Sequence, residues 1–406
     1  MTDDDRPEVL DLGVVHEPHT AVDSHSPKGS RPGPSRRGLL ALAGLAVVGG
    51  GLAVAVRPSG SASSNKQVRP PATPAPTQPG PPPPSGEVDV TPLGGPLLDG
   101  RRTDVFGFSS NALVRVELAT GRVTRTGLPS LSQADLSFVP VRGGVLVHRT
   151  DLGRTYLVPD GLPPEEGPEG LTGFGPLLPG PDLDHVWILL GSGARSTVTL
   201  MGVDGRTTGI AVGLPAYTSS EPVPDGGGYP LVIGVGGAYW AGPQGLRRVT
   251  SGAVVASGPT GWLAVECDER DRCSGVLVDR AGGRHRPAIG VLSPDLPADH
   301  AFVPSGVLSP DGRKAALYVG DPQRSLRLVV LDLATGAATR TDLALVGGAV
   351  SQSLAWTPDG RWLFGVDASA RIVAVDPISG RGRLLVPDTI VPAMPVVQDI
   401  AVRPAG

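Results

Sequence analysis

Beyond about residue 98 the sequence predicts an all-β domain assembled from repeated four-stranded units, and three observations carry that prediction. Apolar runs are short and bounded by Gly, Pro, Asp and Ser, with no helical periodicity of any length. A single turn peptide recurs along the chain, about 43 residues apart on average. The two ends of the domain are complementary, because the first unit lacks an opening strand and the last peptide supplies one.

The clearest unit runs from Ser353 to Leu385 and reads as four short strands. Asp359-Gly360 makes its first turn, since glycine supplies the positive φ that a tight hairpin needs. Asp367-Ala-Ser369 makes the second turn and Pro377-Ile-Ser-Gly380 the third. The peptides Val116–Thr126 and Leu331–Thr341 are nearly identical around Leu-Ala-Thr-Gly, and both read as a third-to-fourth-strand turn. Ala374–Arg381 is another copy, Gly202–Thr208 a shortened one, and Val158–Gly161, Arg248–Gly252 and Val278–Gly282 are weaker ones. From Gly121 to Gly380 these turns lie about 43 residues apart on average, inside the range of about 40–45 for a four-stranded propeller blade. Ser309-Pro-Asp-Gly-Arg313 and Thr357-Pro-Asp-Gly-Arg361 mark the first-to-second-strand turn in a second register. Leu326–Leu331 and Ile372–Val375 are apolar at consecutive positions, as expected of strands sandwiched between neighbouring sheets. The expected fold is therefore a seven-bladed β-propeller over residues 95–406.

Closure of the ring is legible at both ends. Asp135-Leu-Ser-Phe-Val-Pro140 and Ser353-Leu-Ala-Trp-Thr-Pro358 each open a unit, and Asp399-Ile-Ala-Val-Arg-Pro404 has the same form. Asp99-Gly100-Arg101-Arg102 resembles Asp359-Gly360-Arg361-Trp362 and leads straight into a second strand. Ile400–Arg403 is thus expected to pair with the strand around Val105–Phe108, removing the edges that an open array would leave.

Three segments precede the domain. Residues 1–35 are polar and acidic at first, lack periodic apolar positions, and read as a disordered tail. His16, His19 and His25 lie in it, with no rigid element to give them metal-site geometry. Residues 36–56 read as a transmembrane helix or signal segment, because the run Gly38–Val56 carries no charge and is just long enough to cross a bilayer. Arg36 and Arg37 before it suit a single-pass anchor with a cytoplasmic tail. The same residues resemble a twin-arginine export signal, with cleavage near Ala55. Residues 57–94 read as a Pro-rich linker, extended as polyproline II. A spacer has work to do only when one end is tethered, which favours the anchor and an extracytoplasmic C-terminal domain.

The Pro-Asp-Gly and Leu-Ala-Thr-Gly turns resemble those of the WD40-like and TolB-like β-propellers of exported bacterial proteins, across roughly residues 95–406. That resemblance implies the fold rather than an activity. The Trp-Asp dipeptide of WD40 blades is absent, and so is the docking tryptophan that follows the turn in quinoprotein propellers.

The net charge of −4 and an aromatic content of 4 %, without basic stripes, exclude a nucleic-acid binder. Cys267 and Cys273 are the only cysteines, and they flank a charged loop between two strands. Zinc needs more ligands than they offer, and a redox Cys-x-x-Cys has another spacing. In an oxidising compartment they are expected to form a disulfide stapling the hairpin. Hydrolase and phosphate-loop motifs are absent, and no catalytic, cofactor or metal residue is assigned. His148, His185, His285 and His300 fall in different units, and Asp182, Asp184 and His185 form the densest polar cluster, in a loop signalled by Pro179-Gly-Pro181. The function expected is a non-catalytic binding or scaffold module for a protein or carbohydrate partner. The alternative is a propeller enzyme acting on extracellular glycans or small molecules. The two differ in how many ionisable side chains should line the central channel.

Overall fold

The computed structural model describes residues 88–100, 102–108, 112–128, 136–173, 175–191, 196–215, 221–270, 272–288, 306–321, 325–345, 354–386 and 399–404. The tail and apolar-helix expectations, and the linker up to residue 87, lie outside the described residues. Among the described residues no helix is long and apolar enough to cross a membrane.

Strands β1 (Val88–Pro92), β2 (Thr103–Phe108), β3 (Ala112–Glu117) and β4 (Arg122–Gly127) come first, and β5 (Leu136–Val141), β6 (Gly144–Arg149), β7 (Arg154–Pro159) and β8 (Glu165–Glu166) follow. Next are β9 (Leu177–Pro179), β10 (His185–Leu190), β11 (Thr197–Gly202) and β12 (Thr207–Gly213), then β13 (Val223–Pro224), β14 (Pro230–Gly234), β15 (Gly237–Gly242) and β16 (Gly245–Thr250). The chain continues through β17 (Ala253–Gly258), β18 (Gly261–Cys267), β19 (Cys273–Asp279) and β20 (Arg284–His285). It ends with β21 (Gly306–Leu308), β22 (Lys314–Asp321), β23 (Ser325–Asp332) and β24 (Ala338–Leu345), then β25 (Leu354–Trp356), β26 (Leu363–Val366), β27 (Ile372–Val375), β28 (Gly382–Leu384) and β29 (Asp399–Pro404).

Each consecutive group of four from β5 to β28 is an antiparallel meander. The groups β17–β20 and β21–β24 share one eight-stranded sheet through a short parallel contact, Ala256 beside Gly306 and Ser257 beside Val307. The opening strands β29, β5, β9 and β13 adjoin in turn, Gly226 just after β13 abuts Gly258 of β17, β17 pairs with β21, and β21, β25 and β29 complete the circuit, giving a propeller-like arrangement.

Both faces of a sheet are buried, which explains the consecutive apolar residues. Val105 packs with Phe364, Val366 and Ile372 on one side, while its neighbour Phe106 packs with Phe138, Val145 and Val147 on the other. Side chains alternate in direction along a strand, so two buried faces leave no polar position. The repeated turns share one geometry. Gly121, Gly336 and Gly380 donate their N–H to Glu117, Asp332 and Asp376 carbonyls at 2.8, 2.8 and 2.9 Å, with φ between 66° and 75°. In the Pro-Asp-Gly turns, Ser309 and Thr357 hydroxyls donate to Asp311 and Asp359 at 2.6 Å and accept from the Lys314 and Trp362 N–H.

Closure follows the expected register, with Val105 opposite Val402, Phe106 opposite Ala401 and Gly107 opposite Ile400. Arg403 locks it. Its guanidinium reaches Val141 O (2.8 Å), Gly144 O (2.9 Å), Asp104 (2.6 Å) and Asp160 (2.7 Å), tying the last strand to two sheets.

Two placements differ from the sequence reading. Val88–Pro92, inside the segment assigned to the 57–94 linker, pairs with β4 as a fifth strand, because the edge of β4 is open and Val88–Thr91 is extended sequence that can satisfy it. The Arg248–Gly252 peptide joins one unit to the next. The third-to-fourth-strand turn of that unit is Gly242–Gly245, with Gly245 at φ 103°, where a Pro-Gln pair carries no Thr-Gly signature.

Candidate ligand-binding cavity

The opening strands face a shared cavity of about 730 Å³. Proline stands at, next to or just beyond the end of each of them: Pro140, Pro179, Pro224, Pro259, Pro310, Pro358 and Pro404 all line the wall. Each of these strands, β17 beside β21 excepted, keeps a free edge on the cavity. Proline has no N–H to leave unpaired and is therefore tolerated there. Glycines and aliphatic side chains supply most of the remaining wall, with Trp356 and Ser257.

Among the described residues, the single ionisable side chain in that wall is Asp182. It sits in the loop between β9 and β10, as Pro179-Gly-Pro181 foretold, with its side chain 53 % exposed. Its Oδ1 accepts the Asp184 N–H (2.9 Å) and lies 2.7 Å from His185 Nδ1. The loop is braced from two sides. Arg142 donates its N–H to Leu183 O (3.0 Å) and its guanidinium makes a two-pronged pair with Asp184 at 2.8 Å, which holds that carboxyl below the usual carboxylate range. On the other side, Gly228 at φ 85° lets the chain approach so closely that a Cβ would collide with the Gly180 carbonyl, while Trp187 Nε1 donates to Gly228 O (2.9 Å).

The structure brings Asp182, Asp184 and His185 together and leaves the other histidines apart. His148 on β6 is fully buried, 2.8 Å from Thr155 Oγ1 and 3.1 Å from Gly173 O, and burial pushes its imidazole below the usual range. His285 on β20 pairs with Asp279 (3.1 Å), away from the cavity wall. His16, His19, His25 and His300 lie outside the described residues. Cys267 and Cys273 stand opposite each other at the end of the β18–β19 hairpin, with α-carbons 3.9 Å apart and sulfurs at bonding distance, a pair able to form the expected disulfide. Among the described residues no group of three or more His, Cys, Asp or Glu side chains is placed to hold a metal ion.

One polar pair escaped the sequence reading. Asp225, fully buried beside the cavity-lining Gly226–Gly228, accepts the Gly227 and Tyr229 N–H at 2.8 and 2.9 Å and pairs with Arg280 from the following sheet. Arg280 also donates to Gly258 O (2.5 Å) and Pro259 O (3.1 Å) and covers the Trp262 ring at 4.3 Å. The two residues are 55 positions apart and carry no motif, so no local signal links them.

No protein-family model matches this chain, and no curated protein does. It is similar to the solved structures of TolB from Acinetobacter baumannii (13 % identity, 69 % of this chain and 78 % of that one, TM-score 0.36). A puromycin-hydrolyzing peptidase of Mycobacterium tuberculosis is similar at 18 % identity over 70 % of this chain and 53 % of its own, TM-score 0.42. An oligogalacturonate lyase in complex with manganese is similar at 11 % identity over 75 % and 92 %, TM-score 0.45. Likeness at these scores decides nothing between binding and catalysis, and the sheet topology and the cavity wall are what bear on the question.

Proposed function

We propose that this chain is a membrane-anchored, extracytoplasmic β-propeller that binds a ligand or partner without catalysing a reaction. The observation that carries the proposal is the cavity wall, where Asp182 is the single ionisable side chain among the described residues. Hydrolysis or elimination needs a base and an acid, or a nucleophile and its base, converging on one substrate position. Apolar walls with a few polar groups suit binding. Separating the eight-stranded sheet at the β17–β21 parallel contact gives seven blades, the count proposed here. The anchor is residues 38–56, and the Pro-rich linker holds the domain clear of the bilayer.

A second reading rests on the contact of 2.7 Å between Asp182 and His185, a carboxylate–imidazole pair at the cavity edge that could move a proton. One experiment separates the two. The full chain in membranes is offered chromogenic glycoside, ester and peptide substrates, with Asp182→Asn in parallel. Equal, background-level signals are expected, whereas turnover that Asp182→Asn abolishes overturns the non-catalytic reading. For the anchor, the full chain should stay in the membrane pellet after alkaline carbonate extraction and lose its C-terminal domain to protease added outside intact cells. A soluble product beginning near Ala55, dependent on Arg36 and Arg37, establishes the cleaved twin-arginine alternative instead.

A further inference from the structure

We infer that the cavity enclosed by the opening strands is a site for a small apolar amine whose cationic nitrogen pairs with Asp182; this rests on the binding reading above and names the ligand class for it. The volume of about 730 Å³ lies within the range of roughly 300–1,000 Å³ typical of small-molecule sites. Proline rings, glycine backbone and aliphatic side chains form most of the wall, and they favour an apolar body by removing its surface from water.

Charge then selects among apolar ligands. No lysine or arginine lines the described wall, so an anionic head group would meet no countercharge there and would face Asp182. A cationic one finds a carboxylate that is half satisfied. Oδ1 is occupied by the Asp184 N–H and His185, while Oδ2 takes no hydrogen bond from the described residues. Arg142, which braces this loop, is committed to Asp184 through both prongs of its guanidinium and acts on Asp182 only as a more distant charge, without a hydrogen bond to Oδ2. The loop is fixed in advance by Arg142 on one side and by the Gly228 contact on the other, so little ordering cost falls on binding. The rim is partly open, which screens the pair and keeps its selectivity modest.

The test uses the full chain in lipid nanodiscs and three probes with one body: 1-adamantylmethylamine, 1-adamantylmethanol and 1-adamantanecarboxylate. Empty nanodiscs subtract partitioning into lipid, and calorimetry gives each Kd. The amine should bind about five- to tenfold more tightly than the alcohol, with the carboxylate weakest, as expected for one partly screened charge-assisted hydrogen bond. Asp182→Asn should bring the amine down to the alcohol and leave the alcohol unchanged, and Asp182→Glu should restore the preference. Equal affinities for amine and alcohol, a tighter carboxylate, an amine preference that survives Asp182→Asn, or no binding of any probe each overturns the inference. None of these outcomes involves turnover, so they leave the non-catalytic reading to its own experiment.

Discussion

Asp399 opens the strand that closes the molecule, opposite Phe108, and burial pushes its carboxyl up to about 6. Its ordinary value is 3.8, so the native state holds a proton that the unfolded chain gives up between about pH 4 and pH 6. The sign follows from that difference. The contribution of this group is fully present below about pH 4, falls as pH rises through about 6, and is a constant cost above. At most that cost is on the order of 2–3 kcal/mol. Asp399→Asn should therefore raise stability at pH 7 and flatten its decline between pH 4 and 6, as read by denaturant unfolding across that range. An unchanged slope in the variant would assign the decline to other groups. Asp225 makes the contrast at the same scale. Burial pushes its carboxyl up too, but Arg280 and two backbone N–H groups pull against that, and removing Arg280 would leave a buried charge alone.

At the scale of an element, the β18–β19 hairpin extends past its sheet neighbours into a charged tip. Asp268 organises that tip by accepting the Arg270 and Arg272 N–H at 2.8 and 3.0 Å and pairing with the Arg272 guanidinium. Cys267 and Cys273 sit directly below it, in register across the hairpin. A disulfide there closes a short loop, so its contribution is at the small end, about 2 kcal/mol. Cys267→Ser should lower the unfolding free energy by that amount, and thiol titration of the native protein without added reductant should find no free cysteine. Two titratable thiols in that material would show that the hairpin holds without the bond. The opening strands illustrate another element-level constraint. All but β17 and β21, which pair with each other, present an unpaired edge to the cavity, and a proline at or near the end limits both the unsatisfied donors and the chance of pairing with a foreign strand.

Over the whole molecule, stability depends on one long-range pairing. Strand β29 pairs with β2 across about 300 residues of chain, a closure whose entropic cost grows only logarithmically with length. Ile400 packs into the cluster shared by the first and last sheets, and Arg403 bridges to the second. Deleting residues 397–406 should consequently destabilise the whole domain as one unit, exposing the β2 edge and leaving Asp104 with one arginine fewer. Thermal unfolding with and without this decapeptide is the measurement, and a single lowered midpoint is expected. A second, separate transition confined to the chain end would mean that closure and core are independent. Arg403→Ala alone should cost about 1–3 kcal/mol, because it removes buried charge-assisted hydrogen bonds to Val141 O, Gly144 O and Asp104 while Arg115 keeps Asp104 paired.

The sequence by itself determined everything that depends on a few neighbouring residues. Gly121, Gly336, Gly360 and Gly380 mark turns because only a residue free at positive φ fits there, and all four adopt φ between 66° and 75°. Strands buried on both faces show it in every residue, as Ile372–Val375 do. The closing peptide was legible because Asp399–Pro404 repeats the form of other opening strands. Where turn chemistry was nonstandard, at Gly242–Gly245, the nearby Thr250-Ser-Gly252 drew the boundary to the wrong side of β16. What the tertiary structure decided was lateral. Val88–Pro92 joined the sheet because β4 had an open edge for its extended residues to pair with, and that edge is invisible in the five residues themselves. Asp182 became the one charge in the described cavity wall, while His148 and His285 turned to local partners, because the meeting of separate sheets around a common cavity is set by packing across hundreds of residues. Spacing along a chain carries no record of such convergence.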